Sequence, residues 1–300
     1  MKSNSFKLAL IQNKASSLKE ENLKSTEALV RSAAKAGSQI VCLKEIFAGP
    51  YFCTVQEQSR FDLAESVDGP TVTVMSKLAK DLKIVLIVPF FEKRAAGVYH
   101  NSAAVIEADG SLLGVYRKMH IPDDPLFYEK YYFAPGDPSN PEGGFKVFDT
   151  SVAKVGVLIC WDQWYPEAAR ITAMLGAEVI FYPTAIGWHP AEKQEFGEIH
   201  ATAWQTIQRS HAIANGVFVA SVNRVGHEPT AGTDGLEFFG RSVVYAPFGQ
   251  ILAEAKTDQP EVIMAECDRS LIEYTRRNWP FFRDRRIDAY GPILNRFINK

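Results

Sequence analysis

The sequence predicts an α/β fold with mixed sheets, and three observations carry that expectation. Apolar runs of strand length alternate with windows whose apolar residues recur every three or four positions. Strand–helix–strand successions and a hairpin both occur, so parallel and antiparallel neighbours should share sheets. No Pro/Gly/Ser linker, internal repeat or low-complexity segment interrupts the 300 residues, which favours one domain over 1–300.

The elements follow in order. Residues 6–12 read as a strand, and 22–35 as a helix with Leu23, Ala28, Leu29 and Ala33 on one stripe. Ile40, Val41, Cys42 and Leu43 form a short buried strand. Pro70 stands beside the start of a helix over 71–82, where a missing N–H is harmless. A strand over 84–88 is followed by a hairpin of 102–106 and 112–117 around Asp109-Gly110. The second half keeps the alternation, with a strand over 155–159, a helix over 166–175 and a strand over 179–182. A long helix over 198–215 and a strand over 217–222 come next. Strands 242–245, 251–255 and 262–265, with a turn at Pro247-Phe248-Gly249, precede a helix over 269–277. Between 119 and 144 the periodicity lapses. That loop holds Pro122, Pro125, Pro135, Pro138 and Pro141 among tyrosines and phenylalanines, and structureless loops of such length tend to be functional.

Composition excludes several function classes. Hydrophobic residues at 46% and charged residues at 23% are ordinary globular usage. A net charge of −2 lacks the basic field that nucleic acid requires. No apolar run approaches the roughly 18 residues of a membrane span. The first residues lack the apolar core of a signal peptide, so a cytoplasmic protein is expected. The cysteines Cys42, Cys53, Cys160 and Cys267 are widely and irregularly spaced, unlike a disulfide framework, and form no C-x-x-C pair. Neither a metal nor an organic cofactor is expected. Cys42 reads as core packing.

Three segments carry chemistry. Glu45 ends the buried strand 40–43, Lys118 ends the second hairpin strand, and Cys160 ends the strand 155–159 with a helix close behind. Side chains at strand ends project into the crevices where open α/β sheets bind ligands. Singly, each has an ordinary reading, as an exposed charge or a buried thiol. Together they supply a nucleophile, a base and a cation. The carboxylate can take the thiol proton, yet by itself it raises the thiol pKa, so a cation is needed to offset it. The lysine and the N–H after the cysteine can hold an oxyanion.

In this pattern the chain resembles the nitrilase, or carbon–nitrogen hydrolase, superfamily, whose triad is Glu–Lys–Cys. The resemblance runs from Ala9-Leu10-Ile11-Gln12 to the Tyr245-Ala246-Pro247-Phe248-Gly249 turn. Residues 127–137 match a further motif, in which Glu129 is similar to a second active-site glutamate. The resemblance implies a four-layer α-β-β-α sandwich, catalysis by Glu45, Lys118, Cys160 and Glu129, and protomers paired as a homodimer or higher homo-oligomer. The C-terminal stretch 279–300, rich in arginine and aromatics, should then pack on a neighbouring subunit.

Segments 118–125, 160–167 and 181–190 are similar to the branch that acts on carbamoylated diamines. Relatives acting on carbamoyl amino acids place an arginine just after the nucleophile, where this chain has Gln163 and Trp164. A cationic carbamoyl amine is therefore the expected small-molecule substrate. Tyr51, Trp161, Trp188, Asp123, Asp124 and Glu192 are the candidate residues to bind it, the acids through its ammonium and the indoles by cation–π contact. The alternatives are another amide, carbamoyl amine or nitrile on the same triad, and an inactive binding protein of the same fold. A Cys–His protease using His189, His200 or His211 lacks the Cys-Gly-Ser-Cys-Trp type of signature.

Overall fold

The computed structural model describes residues 2–138 and 144–299; Pro141 of the proline-rich loop lies outside them. One six-stranded sheet runs, in spatial order, Glu261–Asp268, Ser5–Gln12, Ile40–Leu43, Val85–Ala95, Val98–Ile106 and Leu112–Arg117. Its Ser5–Gln12, Ile40–Leu43 and Val85–Ala95 strands are parallel and the remaining pairings antiparallel. The other six-stranded sheet runs Ile251–Glu254, Val243–Tyr245, Phe218–Val222, Val179–Pro183, Lys154–Val157 and Val147–Asp149. There too, three central parallel strands are flanked by antiparallel ones. Both sheets are mixed, as the sequence predicts.

Side-chain alternation builds the layers. Leu8, Leu10, Cys42, Ile87 and Val105 share a core with Val155, Val157, Val179 and Phe218 of the second sheet. Phe6 meets Phe218 edge-on with ring centroids 6.0 Å apart. One residue out of phase, Ala9, Ile11, Val41, Leu43, Leu86 and Ile106 pack on Val30, Ala33, Met75 and Leu78 of the helices Lys19–Lys35 and Pro70–Leu82. The helices Pro166–Met174 and Lys193–Asn215 contact the second sheet. Gly156 allows a close approach there, because a Cβ on it would lie 2.3 Å from Thr172 Cγ2 of the helix Pro166–Met174. The result is the α-β-β-α sandwich.

Several elements depart from expectation. The long helix begins at Lys193, five residues early, after a 3₁₀ turn over Pro190–Glu192. Val147–Asp149 and a small sheet of Gly187–Trp188, Val225–Glu228 and Leu236–Phe239 are strands of two to four residues, too short to show a period. The loop 119–144 is not structureless, since Glu129–Tyr132 forms a helical turn within it. Tyr132 and Phe133 sit in an aromatic cluster with Phe52 and Phe91. Among the described residues, no helix is long and apolar enough to cross a membrane.

Candidate active site

Glu45, Lys118 and Glu129 meet in a site from which solvent is excluded, each with no exposed surface. Lys118 Nζ donates to Glu45 Oε1 at 2.9 Å and to Glu129 Oε2 at 2.7 Å. Tyr51 OH donates to Glu129 Oε1 at 2.7 Å, and Asn101 Nδ2 to Glu45 Oε1 at 2.6 Å. Glu45 Oε2 has no partner among the described residues. One oxygen of the base candidate is thus saturated and the other is open. Burial would lower the Lys118 ammonium, but Glu129 and Glu45 outweigh it and hold the pKa well above the ordinary lysine value. Burial pushes the Glu129 carboxyl up, against the pull of Lys118.

Cys160 stands three residues beyond the strand Lys154–Val157, at the start of a 3₁₀ turn over Cys160–Trp164. A 3₁₀ turn, and not the helix, follows it directly. Its φ is +44°, a left-handed conformation uncommon outside glycine. The Sγ contacts Ala185 O at 3.8 Å. Cys160 is 5% exposed, whereas Cys42, Cys53 and Cys267 are completely enclosed, so among the four only Cys160 meets solvent. Burial first and the Glu45 carboxylate second raise its thiol pKa well above the ordinary value, and Lys118 opposes them. From the sequence, the cation was expected to offset the carboxylate; here desolvation and the carboxylate together raise the thiol pKa despite Lys118. Such a thiol, coupled to a carboxylate with one open oxygen, can hand over its proton as it attacks.

On the Glu45 side, Arg224 holds the chain in place. This fully buried guanidinium donates to Glu45 O at 2.8 Å, Ile46 O at 3.0 Å and Glu228 Oε1 at 2.6 Å. Ile46, like Cys160, has a positive φ, of 47°. Glu228 Oε2 accepts the Tyr51 N–H at 2.6 Å, which ties the loop after Glu45 to the same ion pair. Sequence reasoning missed Asn101, Asp162, Arg224 and Glu228. Only Asp162 had a signal, two residues after Cys160; Asn101 and Glu228 come from strands distant in sequence, and Arg224 from the link between two strands.

The substrate-binding candidates divide. Tyr51 contacts Glu129, and Trp161 is half-buried, edge-on to Trp164 at 6.5 Å. Asp123, Asp124 and Glu192 are exposed, with no bond to the triad. Trp188 is buried, its Nε1–H bonded to Gly197 O at 2.7 Å and the Lys193 ammonium 5.0 Å from its ring centroid. A cation of the chain itself already lies over that indole. Gln163 accepts from Trp204 Nε1 at 2.7 Å and Gln208 Nε2 at 2.8 Å, facing the helix layer. The lack of an arginine at 163 therefore says less about substrate than the sequence suggests. Among the described residues no His/Cys/Asp/Glu group could hold a metal ion.

The family model described as carbon-nitrogen hydrolase matches residues 7–277. The chain belongs to the carbon–nitrogen hydrolase family. It is 43% identical to an N-carbamoylputrescine amidase of Oryza sativa subsp. japonica, over 96% of this chain and 94% of that one. It is 40% identical to a citrullinase of Francisella tularensis subsp. tularensis (97% and 99% covered). The crystal structure of a carbon-nitrogen hydrolase from Helicobacter pylori G27 superposes with a TM-score of 0.93 at 45% identity, covering 98% of this chain and 100% of that one. As a carbon–nitrogen hydrolase the chain is an enzyme acting on a small molecule. Lys118 pairs with both Glu45 and Glu129, and none of the three has exposed surface.

Proposed function

We propose that this hydrolase cleaves N-carbamoylputrescine to putrescine, carbon dioxide and ammonia, a step of polyamine biosynthesis. The observation that supports the reading is the open Oε2 of Glu45, a carboxylate close enough to Cys160 to raise its thiol pKa alongside burial. Glu45 takes the Cys160 proton as the sulfur attacks the ureido carbonyl carbon. Lys118 and the Trp161 N–H stabilise the oxyanion. The C–N bond to the terminal nitrogen breaks, and ammonia leaves with the proton from Glu45. Water, deprotonated by Glu45, then attacks the S-carbamoyl carbon and frees Cys160. The carbamate released decomposes to putrescine and carbon dioxide. Glu129 holds Lys118 in place, and neither metal nor organic cofactor takes part.

Asp123, Asp124 and Glu192 are the proposed anchors for the distal ammonium, with Tyr51, Trp161 and Trp188 shaping the pocket. Relatives named N-carbamoylputrescine amidase at 43–44% identity support the choice of substrate. A second reading is citrulline, whose ureido group sits on an α-amino acid, and it is supported by the 40% identical citrullinase. A substrate panel separates the two: turnover of citrulline above that of N-carbamoylputrescine overturns the first reading. Full activity in Cys160→Ala overturns both.

We read 1–300 as one domain that associates into a homodimer or larger homo-oligomer. The exposure of Leu294 at 89%, Phe297 at 77% and Ile298 at 70% supports a tail that packs on a neighbour. Light scattering at the monomer mass for the whole chain overturns this.

A further inference from the structure

We propose that Asp162 is a positioning residue that fixes the Cys160 segment against the Lys118 segment; the inference rests on the triad reading above. Its carboxylate is wholly buried and accepts four hydrogen bonds. Oδ2 takes the Ile159 N–H at 2.9 Å and the Tyr116 OH at 2.6 Å. Oδ1 takes the His120 N–H at 2.9 Å and His120 Nδ1 at 2.7 Å.

The donors come from two places in the chain. Ile159 directly precedes Cys160, while Tyr116 and His120 flank Lys118 two residues to either side. One side chain therefore spans the nucleophile segment and the lysine segment. The arrangement is braced from outside, since His120 stacks on Tyr165 at 3.7 Å and 7°, and the Tyr165 N–H returns to Asp162 O at 3.2 Å. Cys160 has the left-handed φ of +44°, a state that persists only where surrounding contacts hold it. The bond from Ile159 N–H to Asp162 closes the turn across Cys160.

The chemistry requires a carboxylate. Each Asp162 oxygen accepts a backbone N–H, one from Ile159 and one from His120, and neither donor can become an acceptor. An asparagine here would turn its NH₂ toward one of them in either orientation. Asp162→Asn thus keeps the size of the side chain and breaks one arm of the tether.

The experiment measures kcat and KM for N-carbamoylputrescine, and the rate at which iodoacetamide labels Cys160, located by peptide mass. Asp162→Asn, Tyr116→Phe and His120→Ala are compared with the parent, with near-UV circular dichroism as the check on fold. Asp162→Asn should lose kcat by on the order of 10²-fold with KM nearly unchanged, as expected for a misplaced reacting group. Labelling of Cys160 should slow in parallel, and the two milder variants should fall between. A folded Asp162→Asn with parental kcat overturns the inference. So does a loss that vanishes when activity is expressed per folded molecule. If Asp162→Asn does not fold, parental kcat in both Tyr116→Phe and His120→Ala overturns it. Activity surviving in Cys160→Ala sinks the triad reading itself, a separate outcome.

Discussion

Replacing Lys118 by methionine keeps the length of the side chain and removes the cation that pairs with both Glu45 and Glu129, bonded at 2.9 and 2.7 Å. Two carboxylates without exposed surface then lose their partner, and breaking a buried pair from one side costs roughly 3–5 kcal/mol. A chain of 300 residues unfolds with an entropy of about 0.6 kcal/mol/K, so Tm should fall by roughly 5–8 °C. The pH dependence has a definite sign. Burial already raises the Glu129 carboxyl, Lys118 opposes that, and Glu45 adds to it. Without the ammonium its pKa rises further. A group raised in the folded state contributes stability below its unfolded pKa and loses it as pH climbs through the folded one. The deficit of Lys118→Met should therefore be largest near neutrality and shrink on acidification toward pH 5. Scanning calorimetry across that range, on both proteins, measures it. An unchanged Tm, or a deficit that grows in acid, would refute the account of the cluster. Activity should also fall by about 10²–10³-fold if Lys118 holds the oxyanion.

Other perturbations separate the parts of the site. Tyr51→Phe removes one of the two bonds to Glu129; hydrogen bonds to charged groups contribute about 1.5–3 kcal/mol, so steady-state kinetics should register at least a tenfold loss in kcat. Arg224→Met leaves Glu228 without its ion-pair partner and frees the Glu45 and Ile46 carbonyls, and urea titration should find roughly 3–5 kcal/mol of destabilisation. Gly156→Ala drives a Cβ to 2.3 Å from Thr172, and overpacking of that kind should destabilise by about 1–3 kcal/mol in the same titration.

How far the chain could be read in advance varied with length and with distance along the sequence. Ile40–Leu43 fell where its unbroken apolar run put it, and Leu112–Arg117 where the Asp109-Gly110 turn put it. The strand pairing Gly187–Trp188 with Leu236–Phe239 spans two residues and shows no pattern at all. Glu45, Lys118 and Cys160 were legible as polar groups at the ends of apolar runs. Asn101 and Arg224 were not: one looks like an ordinary strand residue and the other like a surface cation. Only folding reveals that Asn101 touches Glu45 and that Arg224 is wholly enclosed. The upward shift of the Cys160 thiol was likewise invisible, because the desolvation behind it comes from packing.

The strand Ser5–Gln12 lies between Ile40–Leu43 and Glu261–Asp268, with Ser5 opposite Asp268. The outer side of Ser5–Gln12, the strand beside Ile40–Leu43, is thus covered by a segment made near the end of the chain, Gln12 pairing with Glu261. During synthesis the early strands must wait on the ribosome with that edge uncovered. Pairing of such long range is slow to form and exposes unpaired backbone while it waits. The chain should therefore depend on chaperones, or on low temperature, for its yield more than for its final stability.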